Sequence, residues 1–321
     1  MRSILSTLYF PRRQAWTSRV DMLDRRAMSP QRLLVRLLKE APDYDVVVLD
    51  GAVGRSGGFV DRVAAAAIAH SRDGPRVVIT DATWGPGNGT VVRRLRRRAM
   101  RIVDSPRTTY CVLSTDEQMA FPQTWEVDPA RVRFTPFYWT LPTDAPQFLL
   151  GNGEVFAGGD SLRDYATLFA AAKHLPDVAV TAATRWRPDV PVPASVCLGP
   201  VDPDRFLALL RRSSVVAVVL RPGLRRSAGQ QTYLNAMALG KVVVVTDSPG
   251  VRDYVEPGET GLIVPPGDPA ALAAALRWAT DSRNATAVRE MGERTHAAAV
   301  ARFGPDSYVD HLLSVIDEAE G

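Results

Sequence analysis

Chemistry in this sequence could sit where polar residues interrupt apolar or small-residue runs. Ser227-Ala228-Gly229 follows a Val-rich run and opens a helical stretch. Small residues at a helix start leave backbone N–H groups free to meet an anion, and the helix dipole favours negative charge there. A plain strand–loop–helix has the same pattern. Gln230 and Gln231 fall in the first turn and could donate to phosphate or to hydroxyls. Arg221, at the end of the preceding strand, could add a guanidinium, with Arg225 and Arg226 in the loop between. Two carboxylates hold similar positions in the first half: Asp50 closes the run VVVLD and Asp81 closes VVITD. Each could orient a hydroxyl, although an Asp capping the next loop reads the same way. Trp84 and Trp16 lie in loops with Gly or Pro and could stack on a sugar or an aromatic ring.

Other patterns carry less. The loop 50–58 (DGAVGRSGG) is Gly-rich but lacks both the dinucleotide-binding order of glycines and the Lys-Ser/Thr of a phosphate loop, so it reads as a flexible loop. Asp43-Tyr44-Asp45 and Asp202-Pro203-Asp204 have the Asp-x-Asp form of some metal sites. The first precedes its strand, and the second starts a helix, where Asp is a cap, so no metal is expected. His70, His174, His296 and His311 have no partner at metal or triad spacing, and Cys111 and Cys197 stand alone in strand-like runs.

With 321 residues, two domains of ordinary size are expected. Hydrophobic residues at 46% and charged residues at 23% exclude a disordered or fibrous chain. The net charge of +4 is too small to imply nucleic-acid binding by itself. The basic residues are uneven in type, with three lysines (Lys39, Lys173, Lys241) against 36 arginines. The densest run is VVRRLRRRAMRIV at 91–103, which puts Val92, Leu95, Ala99 and Ile102 on one helical face and arginines elsewhere, with Asn88 or Thr90 as N-cap. It reads as a solvated helix. Its alternative is contact from Arg93 to Arg101 with an anionic membrane surface or an anionic acceptor. The start, MRSILSTLYFPRR, is stopped by Pro11 and reads as neither signal peptide nor anchor, and no apolar run is long enough to span a bilayer. A cytoplasmic protein, with membrane contact at most peripheral, is the expectation.

Elements that position these residues alternate regularly. Strands are expected at 3–8, 45–49, 76–80, 109–113 and 132–135, with helices at 30–40, 59–70, 91–103 and 115–121. The pattern breaks at 137–148, whose two prolines and turn residues suggest an interdomain linker. It restarts with strands at 154–157, 178–182, 195–198, 214–220, 241–246 and 261–264, and helices at 162–174, 203–212, 230–239, 269–280 and 284–303, followed by an amphipathic terminal helix. Continuous Val and Leu strands alternating with helices make an α/β fold of two doubly wound, Rossmann-like domains facing across a cleft. The boundaries are 1–145 and 146–304, and the helix 305–320 could return to the first domain.

Several strings together resemble the donor-binding domain of retaining GT-B glycosyltransferases, the large sequence family numbered four. They are NAMALGK at 235–241, TDSPGVRDYV at 246–255, PGETGLIVPPGDPAALAAAL at 257–276 and FAGGDSLRDYATLFAA at 156–171, with FGPDSYVDHLLSVID at the end. The resemblance covers about residues 150–320, while the first half matches in layout and in YCVLSTDEQ. It implies a GT-B fold and a metal-independent, hexosyltransferase-like enzyme. That enzyme moves a sugar from a nucleotide-diphosphate sugar to a hydroxyl with retention, and the leaving phosphate oxygen takes the acceptor's proton. The resemblance also assigns roles. Arg163, after Gly158-Gly159, takes the place of the basic residue that grips the donor diphosphate. Ser227 and Asn235 stand where the family has its Glu pair, the first by the donor sugar and the second at the ribose hydroxyls.

The expected site therefore has Arg163, Asp81 and Ser227 at the reaction. Gly158, Gly159, Arg163, Arg221, Ala228, Gly229, Gln230, Gln231 and Asn235 hold the donor, and Asp50, Trp84 and Trp16 hold the acceptor. No cofactor is expected beyond the nucleotide sugar as substrate. Loss of both Glu keeps open a protein that binds nucleotide sugar or glycan without transfer, and a GT-B epimerase is a further alternative.

Overall fold

The computed structural model describes residues 3–52, 58–87 and 89–318. The chain divides into two compact units, Met1–Pro136 with Asp306–Gly321, and Phe137–Pro305. In the first unit the order is β1 Ile4–Ser6, α1 Gln14–Thr17, β2 Val20–Met22, α2 Pro30–Glu40, β3 Val46–Asp50, α3 Gly58–Ala69, β4 Arg76–Thr80, α4 Thr90–Val103, β5 Thr108–Val112, α5 Thr115–Trp125 and β6 Val132–Phe134. The second unit has β7 Val155–Gly158, α6 Tyr165–Ala172, β8 Val180–Ala183, β9 Val196–Gly199, α7 Pro203–Arg212, β10 Val215–Val218, α8 Gln230–Ala238, β11 Val242–Thr246, β12 Leu262–Val264, α9 Pro269–Thr280 and α10 Ala285–Arg302. The last helix, α11 Pro305–Glu318, belongs to the first unit from Asp306 onward. There Arg13 pairs with Asp306 at 3.0 Å and Arg19 with Asp317 at 2.6 Å.

Each unit holds one parallel six-stranded sheet, ordered β2-β1-β3-β4-β5-β6 and β12-β11-β10-β7-β8-β9. The Val-rich strands have no solvent face. Val46, Val47, Val48 and Leu49 are all buried, as are Val242 through Val245. In the second unit α6 and α9 pack in one apolar cluster, and α7 and α8 pack in the other. The crossovers therefore change face between the neighbouring strands β7 and β10, which is the topological switch point of this sheet. In the first unit the order reverses at β1, between β2 and β3.

Three helices begin with the same device. Ser29, Asp202 and Asp268 accept hydrogen bonds from first-turn backbone N–H groups, and each is followed by proline at the first helical position. Asp202 is thus a cap. The structure departs from the expected elements in four places. The short β2 and α1 have too few residues for a periodic signal. The helix expected to end at 121 runs through Pro122 to Trp125 and stops at Glu126 in a left-handed conformation. The N-cap of α4 is Gly89 at φ 82, without a side-chain cap; Asn88 lies outside the described residues, as does 53–57 of the Gly-rich loop.

The fourth departure is the expected linker, which packs as part of the second unit. Phe137 N donates to the Tyr254 hydroxyl, Trp139 N to Phe303 O, and Leu149 N to Leu239 O. Phe148 then covers Gly240, two residues past α8, whose φ is 72. A Cβ there would lie 2.1 Å from Phe148 Cδ2. Gly240→Ala is therefore expected to destabilise the protein by about 2 kcal/mol or more, since the left-handed backbone alone costs an L-residue roughly 1–2 kcal/mol. The check is the thermal melting temperature against that of a control such as Gly199→Ala, at a half-buried position where a Cβ meets nothing within 4 Å.

Candidate functional site

Arg163 sits at the switch point of the second unit. Its backbone is held over the end of β10: Asp164 N donates to Val219 O at 2.9 Å, and Arg221 N donates to Leu162 O at 3.0 Å. Leu162 takes φ 58 to turn this strap inward. The Arg163 side chain is buried, with Nε donating to Gly158 O at 3.1 Å, Nη1 to Ser161 O at 3.0 Å and Nη2 to the Thr232 hydroxyl at 3.1 Å. Among the described residues it has no ion-pair partner. Asp160, nearby in sequence, is spent on Arg185 and Thr184. Burial lowers the Arg163 pKa below its ordinary value, although a guanidinium stays charged.

The surroundings leave room beside that cation. A Cβ on Gly159 would fall 3.1 Å from Nη2 and one on Gly229 3.6 Å from Nη1, and both glycines have positive φ, at 107 and 88. Gly229 is the N-cap of α8 and offers no side-chain cap; Thr232 N turns back to Gly229 O at 2.9 Å, so the amides left without a cap from that residue are those of Gln230 and Gln231. Gln230 is buried, and its Nε2 has no hydrogen-bond partner among the described residues. A buried guanidinium, an uncapped helix start and an orphaned amide N–H donor thus converge in one corner. The chemistry they suit is an anion with several acceptor oxygens. Ser227 and Ala228 are buried in the loop that delivers Gly229. Arg221 donates through Nε to Arg163 O at 3.2 Å, so it braces the strap.

Asn235 and Gln231 turn to a different partner. Thr140 N donates to Asn235 Oδ1 at 2.6 Å, while Asn235 Nδ2 and Gln231 Nε2 donate to the Thr140 hydroxyl at 3.2 Å and 3.0 Å. Both ends of the Asn235 amide are engaged. Thr140 lies in the segment expected to be a linker, and nothing in the sequence marked it.

In the first unit the candidate carboxylates gather at the carboxyl ends of the strands. Arg25 bridges Asp50 and Asp61, each at 2.6 Å, and the Thr7 hydroxyl donates to Asp61 at 2.8 Å. Asp50 is therefore held in an ion pair. Burial, outweighing Arg25 and Thr7, pushes Asp61 up to about 6. Sequence reasoning missed Arg25, Asp61 and Thr7, because Arg25 follows the unrecognised β2 and Asp61 reads as an ordinary helix residue. Asp81 follows β4 in a left-handed conformation, φ 49, with its Oδ1 buried and unpartnered among the described residues. Burial first, then Asp50 and Glu117, raise it to about 7.

The two tryptophans separate. Trp16, expected at the acceptor, is fully buried and meets Phe10 edge-on with centroids 5.8 Å apart, so it belongs to the core and offers no ring to a ligand. Trp84 is half-buried, donates from Nε1 to Gly51 O at 2.8 Å and carries the Arg62 guanidinium 5.6 Å above its ring. Lys241 is buried and donates to Leu149 O at 2.8 Å; burial lowers its pKa to about 8.

Two parallel doubly wound sheets in one chain define the GT-B architecture, and solved structures of that architecture superpose over nearly the whole protein. Anabaena Alr3699/HepE in complex with UDP-glucose matches with a TM-score of 0.68 at 15% identity, over 99% of this chain and 100% of that one. Sucrose-phosphate synthase (tll1590) from Thermosynechococcus elongatus matches with a TM-score of 0.62 at 18% identity, over 96% and 82%. Residues 179–282 match the family model described as Glycosyl transferases group 1. The D-rhamnosyltransferase WbpZ of Pseudomonas aeruginosa is 35% identical over 101 residues, which is 31% of this chain and 26% of that protein. The aligned stretch thus spans about a quarter of that relative.

Asp81 generates a pH test. Its folded pKa of about 7 lies above the ordinary 3.8, so the folded protein keeps a proton that the unfolded chain releases between about pH 4 and 7. The stability from this group is present below that window, falls as pH rises through it and is gone above it. Asp81→Asn is expected to raise stability at pH 8 by on the order of 2 kcal/mol and to change it little at pH 4. Melting curves of both proteins across this range decide it, and parallel curves would contradict the assignment.

Proposed function

We propose that the protein is a glycosyltransferase that moves a sugar from a nucleotide-diphosphate sugar to a hydroxyl acceptor with retention of anomeric configuration. The observation that carries this reading is the buried Arg163 guanidinium without a carboxylate, set against the uncapped start of α8 at the switch point of the second sheet. In this reading residues 146–304 bind the donor, and its diphosphate lies on Arg163, Gln230 and the first-turn amides of α8. The glycosidic bond to the diphosphate breaks, and the leaving oxygen gains charge where cation and dipole already point. The acceptor oxygen bonds to the same face of the sugar, and its proton passes to the departing phosphate oxygen. No metal is called for, because Arg163 supplies the positive charge.

Residues 1–145 take the acceptor, with Asp81 orienting its hydroxyl beside Trp84. Asp81's raised pKa leaves part of it protonated near neutral pH, which suits a hydrogen-bond partner better than a strong base. The same reading makes this a cytoplasmic protein that touches the membrane peripherally through the Arg93 to Arg101 helix; no described helix is long and apolar enough to cross a bilayer. Support for a nucleotide-sugar donor comes from the match to the group 1 family model and from the solved GT-B neighbour whose complex contains UDP-glucose. A binder without transfer has one observation in its favour, since Asn235 is tied to Thr140 and Ser227 brings no charge.

The test is calorimetry with UDP-, GDP- and dTDP-sugars, followed by product analysis with a panel of acceptors. At least one nucleotide sugar is expected to bind, and Arg163→Met is expected to weaken it by about tenfold or more, the worth of one charge-assisted contact. The same substitution is expected to leave the ligand-free melting temperature within a few degrees, because it removes a buried charge along with three hydrogen bonds. Binding of none of the donors would overturn the donor site. Binding with no transfer to any acceptor would favour the binder.

A further inference from the structure

The first unit has a groove between α3 and α4 that shares only Trp84 with the acceptor residues of the proposed reaction. It encloses about 610 Å³ and is lined mostly by apolar atoms from Val63 and Ala66 of α3, Ala99 and Met100 of α4, and Trp84 and Trp125. Arg62 and Arg96 complete the lining. The Arg62 guanidinium stands over Trp84, and Arg96 Nη1 donates to Gly85 O at 2.6 Å, so both cations gather at the Trp84–Gly85 end. Among the described residues neither has a carboxylate at ion-pair distance. Asp61, next to Arg62 in sequence, is committed to Arg25 and Thr7. Arg97 and Arg101, on the same helix, both pair with Glu126. The two arginines at the groove are thus left without a carboxylate, while Arg97 and Arg101 share the one of Glu126.

The helix is solvated, as expected, and its apolar side is largely open: Met100 is the buried residue of α4, and Val91, Leu95 and Ile102 are 68%, 60% and 65% exposed. An apolar strip beside an apolar groove, with two unpaired guanidiniums at one end, complements a molecule that is hydrocarbon for most of its length and anionic at its head. A sugar or nucleotide would leave the lining unsatisfied, and a wholly apolar ligand would leave the cations unpaired. Two forked guanidiniums converging on one point suit phosphate geometry.

We propose that the α3–α4 groove binds the phosphate-bearing lipid of a membrane leaflet, with one hydrocarbon chain in the groove and the phosphate between Arg62 and Arg96. This deepens the peripheral-contact part of the reading above and rests on it, and it is independent of the donor site. Dodecyl phosphate below its micelle concentration serves as the probe, titrated calorimetrically into the intact protein, with dodecyl maltoside and inorganic phosphate as controls. The expected result is binding ~tenfold tighter than either control, which corresponds to about 1.4 kcal/mol. The pair Arg62→Gln with Arg96→Gln, and separately Ala99→Phe at an exposed helix position, should each weaken it by a similar factor. The pair Arg94→Gln with Arg98→Gln, off the groove, should leave probe binding within about twofold. Co-sedimentation with phosphatidylcholine vesicles should require added phosphatidic acid and should fall in the groove variants.

Equal binding of dodecyl maltoside, or groove variants that bind as the parent does, would overturn the proposal. Vesicle binding that survives the groove variants and disappears in the Arg94/Arg98 pair would overturn the groove while leaving a general peripheral contact standing. Melting curves of each variant separate loss of binding from loss of fold.

Discussion

The arrangement in the second unit depends on one buried charge. A guanidinium removed from water without a carboxylate is costly, and only good hydrogen bonds or a bound anion offset that cost. Arg163 receives two carbonyls and one hydroxyl, which use three of its five N–H donors. Supplying them requires the left-handed Leu162, the strap bonded across β10 and a Thr facing inward in the first turn of α8. It also requires Gly159 and Gly229, because side chains there would crowd the ring of nitrogens. Each of these features is costly or neutral by itself. Together they hold a cation facing the helix start instead of pairing it. A merely structural arginine would be better served by the nearby Asp160, which is instead bound to Arg185.

The first unit treats charge in the opposite way. At the reversal of its sheet, Arg25 bridges Asp50 and Asp61, and Thr7 donates to the deeper of the two. What stays unbalanced is Asp81, one strand further along, with a buried oxygen and a backbone conformation unfavourable for a non-glycine residue. One unit thus keeps an uncompensated cation and the other an uncompensated acid, each at the carboxyl ends of parallel strands. Those are the positions where an α/β sheet can hold such groups, because the loops there carry no obligation to the core.

Much of this was legible in the sequence, for reasons that also explain the gaps. Strands such as VVVLD and KVVVVT announce burial on both faces, and the Ser-Pro and Asp-Pro starts of α2, α7 and α9 state where a helix begins. Arg163 became visible through its resemblance to a family and not through its chemistry, since one arginine among 36 carries no label. The burial of Trp16 was invisible because α1, at four residues, is too short for a periodicity that assigns a face. For α4 the sequence indicated a solvated helix without saying how much of its apolar face stays open. A period of 3.6 shows that a helix has an apolar side, but whether a sheet covers that side depends on tertiary packing.

Asn235 shows how a substitution can move a residue from ligand to scaffold. Thr140 N–H can only donate, so the atom facing it at 2.6 Å must be the amide oxygen. The amide nitrogen then faces the Thr140 hydroxyl, whose two lone pairs accept from Asn235 and Gln231. A carboxylate at 235 could accept from the backbone N–H, but it has no proton to give the hydroxyl oxygen. The amide does both, and it clamps the 137–141 segment to α8. That clamp spends the polarity that a family Glu would hold free, and Ser227 adds none. No carboxylate therefore stands on α8 itself, and Arg163 and the helix dipole face its start, with Asp160 held off by Arg185. Under the proposed function, a corner of that sign suits the diphosphate of a donor more than the neutral hydroxyls of its sugar, and recognition would lean on the leaving group.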